Sequence, residues 1–205
     1  LVGSEMCIRD SSFGRTSRVQ LDEARDKVAS LVGAHSSEIV FTSGGTEANN
    51  LALLGAAFTK KGKIITSKVE HPSIINPCRQ LEKQGIEVYY LNVDRKGLVD
   101  ISELESQITA STSLISLQHA NSETGVLQDI KRVSEITRKK GILFHTDAVQ
   151  SVAKIPFDVN KFPVDMLSIS AHKFNGPKGV GALYLRKGTP ALFSPVCGGS
   201  QEKKR

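Results

Sequence analysis

The chain has 205 residues, of which 39% are apolar, and its 27 Lys and Arg against 21 Asp and Glu leave a net charge of +6. This length and composition allow a buried core and exclude a disordered protein. The three cysteines, Cys7, Cys78 and Cys197, lack CxxC or metal-ligand spacing, so we expect neither disulfides nor a metal site. With no apolar run of the roughly 20 residues that span a membrane and no aromatic-rich basic cluster, we predict a cytoplasmic protein that binds neither membrane nor DNA.

Short β-branched runs, polar loops and segments of helical period alternate along the chain, a pattern typical of a parallel sheet with crossover helices. The first predicted helix covers residues 18–32 and turns one side toward the core, namely Val19, Ala24, Val28 and Leu31. Strands are predicted at residues 38–42, 63–67, 87–91, 113–118, 142–146, 166–170 and 180–185. The other predicted helices cover residues 46–58, 72–84, 101–108 and 130–140. We therefore predict the α/β class, with a mostly parallel sheet and helices on both faces.

Polar loops follow several of the predicted strands, and the loops at the carboxyl ends of parallel strands share one rim, where ligands bind. The first loop, Gly44-Gly45-Thr46, opens a helix, and its small residues would let backbone amides and the helix dipole approach a phosphate. Thr46 would add a hydroxyl donor. Taken alone, the segment is also explained by an ordinary glycine-rich turn in which Thr46 caps the helix.

Lys173 and Asp147 each follow an apolar strand. An ammonium flanked by His172 and near other cations would lose its proton readily, as a Schiff-base lysine must, although a lysine on the surface is the alternative. A buried carboxylate at Asp147 needs a cation, and a protonated pyridine nitrogen is one. Capping of the turn at Ala148 is the alternative for this aspartate.

Other polar side chains on the same rim complement this pair. His71, before Pro72, could stack on a flat cofactor or shuttle a proton, and Gln150 could donate to a phenolate oxygen, although either side chain could simply be exposed. Ser170 and His172 alternate along the chain, so both could face one phosphate. Together these residues indicate pyridoxal 5′-phosphate as the cofactor.

These residues lie in sequence strings that resemble the NifS-like cysteine desulfurases of the class V aminotransferase fold, over about residues 13–202. The strings are EIVFTSGGTEANNLA, TSKVEH, HANSETGVLQDI, FHTDAVQS and SAHKFNGPKGVGALY, in the order of the family. The resemblance implies the large domain of the type I fold of pyridoxal-phosphate-dependent transferases. It also implies homodimers that convert L-cysteine to L-alanine and pass sulfur, as a cysteine persulfide, to an iron–sulfur scaffold or tRNA-thiolation protein.

The resemblance also implies a role for each matching residue. Lys173 would form the Schiff base, Asp147 would pair with the pyridine nitrogen, Gln150 would donate to the phenolic oxygen, and His71 would stack on the ring. Lys173 and His71 are thus the predicted catalytic residues. The remaining predicted cofactor-binding residues hold the phosphate or line the site, and they are Gly45, Thr46, Asn121, Ser122, Ser170 and His172. Ser122 stands where the family usually has a second Asn, expected near the cofactor oxygen and the substrate carboxylate.

The two ends of the chain depart from the family pattern. Residues 1–10 resemble nothing in the family and are left unassigned, whereas residues 11–205 are predicted to be an incomplete cofactor-binding large domain. We expect the chain to be part of a longer protein, with the persulfide cysteine, the substrate-carboxylate arginine and the small domain beyond Arg205. Cys7, Cys78 and Cys197 match no catalytic position, and we expect the chain alone to be inactive.

Two alternatives remain at the level of the sequence. A selenocysteine lyase or another enzyme of the same fold would use the same cofactor residues. A non-catalytic scaffold would keep the fold without its chemistry, but it would have no reason to retain Lys173 opposite Asp147.

Overall fold

The computed structural model describes residues 12–194, which form one sheet with helices packed against it. The helices are α1 Ser12–Leu31, α2 Gly45–Thr59, α3 Pro72–Lys83, α4 Ile101–Gln107 and α5 Ile130–Lys140. The strands are β1 Ile39–Thr42, β2 Lys63–Ser67, β3 Val88–Leu91, β4 Thr112–Ser116, β5 Leu143–Asp147, β6 Met166–Ser170 and β7 Gly181–Leu185. Short 3₁₀ helices cover Ser36–Glu38 and Ala171–Phe174. The predicted bounds of β2, β6 and α5 are confirmed to the residue, and all others except those of the first helix lie within two residues.

The seven strands are ordered β1-β7-β6-β5-β4-β2-β3. Strands β2 to β6 run parallel, whereas β7 runs antiparallel to both of its neighbours, β1 and β6. Because β1 and β6 both oppose β7, they point the same way, and the loops after β1, β2, β4, β5 and β6 leave the sheet at one edge. The predicted α/β class with a mostly parallel sheet is confirmed.

Both faces of the sheet are covered. Neighbouring residues of a strand point to opposite faces, and Ile64 and Ile65 of β2 are both fully buried, each in a different apolar cluster. The cluster around Ile64 includes side chains of α2 and α3, and the cluster around Ile65 includes side chains of α1, α4 and α5. Burial on both sides explains why the strands read as continuous apolar runs rather than as alternating ones.

The inward face of α1 differs from the prediction. Val19 and Leu31 are 55% and 42% exposed, whereas Arg25, Ala29 and Val32 are buried. The reason is that Arg25 takes an inward position: its guanidinium donates to the carbonyl of Ile39 at 2.7 Å and lies 4.6 Å from the centre of the Phe41 ring. A buried cation with such partners is tolerated. The spacing of apolar residues alone therefore predicts the wrong core-facing side of α1.

No helix in the part of the chain that the structure describes is both long and apolar enough to cross a membrane.

Candidate active site

A cavity of about 640 Å³ opens at the sheet edge where the parallel strands end. Every predicted site residue except Asn121 lines it, and these are Gly45, Thr46, His71, Ser122, Asp147, Gln150, Ser170, His172 and Lys173. They come from five loops or helix starts that are up to 128 positions apart in the chain (173 − 45). The sheet topology therefore brings together the polar side chains that the sequence distributes over separate loops.

The N-terminus of α2 forms one wall of this cavity. The first backbone amides of α2 have no partner within the helix, as at every helix start. Gly44, which precedes the helix, provides no side-chain cap for them. A Cβ on Gly45 would lie 2.7 Å from Val149 Cγ2, and a Cβ on Gly181 would lie 2.6 Å from Gly44 Cα. These close contacts require glycine, and they bring the amino end of a 15-residue helix against the sheet. Its free amides and positive dipole end favour an anion.

Hydroxyl and imidazole groups complete this wall. Ser170 Oγ lies 3.0 Å from His172 Nδ1, and both residues line the same groove as Thr46. Exposed Lys178 adds a cation beside that groove. The donors and charge fit a phosphate, and the role of Thr46, Ser170 and His172 in holding one stays a prediction.

Asp147 ends β5 and is only 7% exposed. Its Oδ1 accepts the backbone N–H of Val149 at 2.9 Å, and its Oδ2 accepts the Asn49 amide at 2.8 Å. Burial raises the pKa of Asp147, whereas these two donors and the nearby His71 and Lys173 oppose that rise. Asp147 forms no ion pair within residues 12–194, so this carboxylate still needs a cation, and a protonated ring nitrogen fits the need.

His71 caps the N-terminus of α3, immediately before Pro72. Its Nδ1 accepts the backbone N–H of Ser73 at 3.1 Å and lies 2.7 Å from Ser73 Oγ. Proline at the first helical position has no N–H to satisfy and fixes the backbone for helix entry. The ring of His71 is thus held at the cavity wall by the helix start itself.

Lys173 lies on the 3₁₀ helix that follows β6 and is half-buried. Its neighbour Phe174 packs against the core, which anchors the short helix. No hydrogen bond or ion pair engages the Lys173 amine within residues 12–194, so the amine is available to a ligand in the cavity.

Gln150, Ser122 and Asn121 differ in how they face the cavity. The amide oxygen of Gln150 accepts from Lys154 at 3.2 Å, which leaves its NH₂ group for a ligand. Ser122 Oγ donates only to Glu123, at 3.3 Å. Asn121 does not line the cavity: its Oδ1 accepts the backbone amides of residues 123 and 124, each at 2.9 Å, and its Nδ2 donates to Val69. The polar atoms of Asn121 thus bind its own loop and Val69, and its contact with the cofactor stays a prediction.

Four polar or charged residues that the sequence does not predict as site residues also line the cavity, namely Asn49, Ser73, Gln118 and Glu123. Asn49 lies in the helix Gly45–Thr59 one turn after Gly45, and its neighbours Ala48 and Ala52 are fully buried. An amide on the apolar side of a helix must find partners, and this position was the available signal for Asn49. Ser73 and Gln118 give no comparable signal, because Ser73 accepts from Asn49, 24 positions away, and Gln118 donates to Val69 and Glu70, 49 and 48 positions away.

Glu70 lies behind the cavity wall and joins two loops. Its carboxyl accepts hydrogen bonds from Ser67 Oγ at 2.6 Å and from the backbone N–H of Gln118 at 3.0 Å. The preceding carbonyl, of Val69, accepts the side-chain amides of Gln118 at 2.8 Å and Asn121 at 3.1 Å. Burial without a cation raises the pKa of Glu70 to about 8. The loops that carry His71 and Ser122 are therefore fixed relative to each other through Glu70 and Val69.

Cys78 is fully buried on α3. Burial raises the pKa of its thiol to about 12, so the thiol stays protonated and does not act as a nucleophile at neutral pH. Cys7 and Cys197 lie outside the described residues. Within residues 12–194, no group of three or more His, Cys, Asp or Glu side chains is placed to hold a metal ion.

The sequence matches the model of the aminotransferase class-V family over residues 7–205. The cysteine desulfurase IscS of Dictyoglomus turgidum is 54% identical over 196 residues, which is 94% of this chain and 50% of that relative. The cysteine desulfurase IscS of Escherichia coli O139:H28 is 48% identical over 199 residues, covering 95% of this chain and 49% of the relative. The chain thus spans about half the length of the curated relatives it matches.

Solved structures share the fold at substantial identity. A NifS-like protein superposes with a TM-score of 0.91 at 40% identity, covering 95% of this chain and 54% of that one. SspA in complex with cysteine superposes with a TM-score of 0.89 at 41% identity, covering 94% of this chain and 57% of that one. Together with the family match over residues 7–205, this agreement shows that the chain belongs to the aminotransferase class-V family.

Proposed function

We propose that residues 11–205 form the cofactor-binding unit of a cysteine desulfurase that uses pyridoxal 5′-phosphate. One observation carries this proposal. A lysine amine, a buried carboxylate and the first amides of a helix face one cavity, and within residues 12–194 the amine has no partner and the carboxylate has no cation. These three groups match the aldehyde, the ring nitrogen and the phosphate of this cofactor. The desulfurase relatives support the choice of reaction within the family.

The residues of the cavity divide the binding between them. Thr46, Ser170, His172 and the first amides of α2 would hold the phosphate, and Asp147 would hold a proton on the ring nitrogen. Gln150 would donate to the phenolic oxygen through its free NH₂ group. When bound, the cofactor supplies an electron-withdrawing ring that stabilises negative charge at the substrate Cα.

Lys173 and His71 would move the protons. The Lys173 amine, once free, is the base placed to accept a proton from the substrate Cα, because it faces the cavity and no group of the described residues engages it. His71 lies on the opposite loop, after β2, and its ring would cover the cofactor and exchange a proton with the substrate.

The substrate that we propose is L-cysteine, and the structural neighbour SspA is itself described in complex with cysteine. In the proposed reaction, L-cysteine and an enzyme thiol give L-alanine and an enzyme persulfide, so that sulfur moves and no external oxidant is needed. The accepting thiol is not Cys78, which is buried and protonated. We further propose a cytoplasmic homodimer that delivers the sulfur to an iron–sulfur scaffold or tRNA-thiolation protein.

The complete gene product tests this proposal. Incubated with L-cysteine, pyridoxal phosphate and a thiol reductant, it should release sulfide and alanine in equal amounts, and Lys173→Ala should reduce both to the level of free cofactor. Lys187→Ala, which removes an exposed lysine far from the cavity lining, is the matched control and should keep wild-type turnover. Alanine formation at the wild-type rate by Lys173→Ala would contradict the proposal.

A further inference from the structure

A chain of hydrogen bonds connects Asp147 to His71 through two residues. The Asn49 amide nitrogen donates to Asp147 Oδ2 and to Ser73 Oγ, both at 2.8 Å. Ser73 Oγ in turn lies 2.7 Å from His71 Nδ1. Asn49 and Ser73 are buried, and all four side chains line the cavity. The loops after β2 and β5 are therefore connected across the site by buried polar contacts.

The acceptor at one end sets the direction of every bond in this chain. An ionised carboxylate can only accept, so the Asn49 group that faces Asp147 must be the NH₂. Its second hydrogen is directed at Ser73 Oγ, which therefore accepts from Asn49 and has its own hydrogen left for His71. The ring atom Nδ1 also accepts the backbone N–H of Ser73. His71 consequently carries its ring hydrogen on Nε2.

The position of the Asn49 carbonyl supports this interpretation. Asn49 Oδ1 is buried and has no hydrogen-bond partner within the described residues. Leaving a buried carbonyl unpaired costs free energy, and the reversed amide would instead direct Oδ1 at the carboxylate of Asp147, which repels it. The Asn49 side chain is thus oriented so that its NH₂ group donates both of its hydrogens, to Asp147 and to Ser73.

We propose that Asn49 and Ser73 are positioning residues that keep Asp147 ionised and His71 in its Nε2–H form. The tasks of Asp147 and His71 rest on the proposed function, whereas the hydrogen-bonded chain is a property of this protein without the cofactor. Asn49 stabilises the carboxylate where burial opposes its charge. Ser73 gives the ring of His71 one orientation and one free N–H.

Three titratable groups face Asp147 from the surrounding elements. When they are charged, His71 at the start of α3 and Lys173 after β6 favour the ionised form of Asp147, and Glu70 in the loop after β2 opposes it. These groups stay in place when Asn49 is replaced. A change in the acidity of Asp147 on replacement of Asn49 therefore reports the lost hydrogen bond.

The test uses the protein without cofactor, so that its result does not depend on turnover. In Asn49→Ala, we expect the acid dissociation constant of Asp147 to fall by about tenfold or more. The titration is followed by carboxyl ¹³C NMR, and the Asp147 signal is assigned with Asp147→Asn. In Ser73→Ala, which keeps the backbone N–H, we expect the ring ¹⁵N signals of His71 to show that the ring no longer holds one orientation. The Asp147 signal should stay near that of the wild type. Asn50→Ala is the matched control, because the Asn50 amide donates only to the carbonyl of Thr46 in its own helix.

The outcomes separate the positioning role from a structural one. Wild-type ¹⁵N signals that place the hydrogen on Nδ1 of His71 would overturn the proposal, as would Asn49→Ala with an unchanged Asp147 titration. If Asn49→Ala does not fold, Asn49→Leu keeps a similar volume and removes the donors without adding a charge, and the same loss of Asp147 acidity is expected. Because no cofactor is present, failure of the desulfurase proposal would leave these results unaffected.

Discussion

Glu70 allows a quantitative test of how burial acts on this site. Its carboxyl lies behind the cavity with no cation beside it, and burial raises its pKa from 4.5 to about 8. The folded protein therefore keeps a proton that the unfolded chain loses between these two pH values. Stability falls with pH wherever the folded state binds more protons than the unfolded state. The contribution of Glu70 to the free energy of unfolding is thus complete below pH 4.5 and is lost as the pH rises through about 8.

The magnitude follows from the same two values. A difference in pKa of one corresponds to about 1.4 kcal/mol, so the difference between 4.5 and about 8 is worth about 5 kcal/mol in all. About 4 kcal/mol of this falls between pH 5 and pH 9. Glu70→Gln has nearly the shape of the protonated carboxyl and no proton to lose. The variant should therefore not share this loss of stability at high pH.

The assay is chemical denaturation of wild type and Glu70→Gln at pH 5, 7 and 9. We expect the free energy of unfolding of the wild type, relative to the variant, to fall by about 4 kcal/mol across this range. Other buried titratable groups, such as His145, are common to both proteins and cancel in the difference. Glu23→Gln, which removes an exposed carboxyl of α1, is the control and should show no such trend. The difference in free energy of unfolding between wild type and Glu70→Gln could instead stay constant, or shift in favour of the wild type, as the pH rises. Either result would mean that Ser67 and Gln118 hold Glu70 ionised.

Three further predictions concern other parts of the site. Asp147→Ala should lower turnover of the complete gene product by about 100-fold or more while the variant still binds pyridoxal phosphate, and near-normal turnover would refute its role at the ring nitrogen. Gly181→Ala should destabilise the fold by about 1–3 kcal/mol in a denaturation assay, because its Cβ would lie 2.6 Å from Gly44 Cα, and an unchanged free energy of unfolding would contradict this close packing. Cys78 should resist alkylation in the folded protein and react after denaturation, and modification of the folded protein at Cys78 would contradict its burial.

The elements that the sequence predicted well have strong local signals. The strand Met166–Ser170 is an apolar run that is buried on both faces, and the helix Ile130–Lys140 begins at an Asp129 cap and ends at Gly141. Such signals depend only on neighbouring residues. The site itself was predictable because the carboxyl ends of parallel strands share one edge, so that residues as distant as Thr46 and Lys173 were expected together.

What the sequence did not predict depends on contacts between distant positions. The hydrogen bond from Asn49 to Asp147 joins residues 98 positions apart, and the bond from Gln118 to Glu70 spans 48. No local pattern selects such partners. The inward position of Arg25 is similar, because its burial depends on a carbonyl and a ring of β1 that residue spacing does not show.

The lysine that binds pyridoxal phosphate can be located directly. The protein is incubated with the cofactor, reduced with borohydride, digested and mapped by mass spectrometry, with Lys178→Ala as a control that removes the lysine beside the groove of Thr46, Ser170 and His172. We predict a reduced cofactor adduct on Lys173 that persists in Lys178→Ala and disappears in Lys173→Ala. An adduct on Lys178, or one that survives in Lys173→Ala, would contradict the assignment of the site.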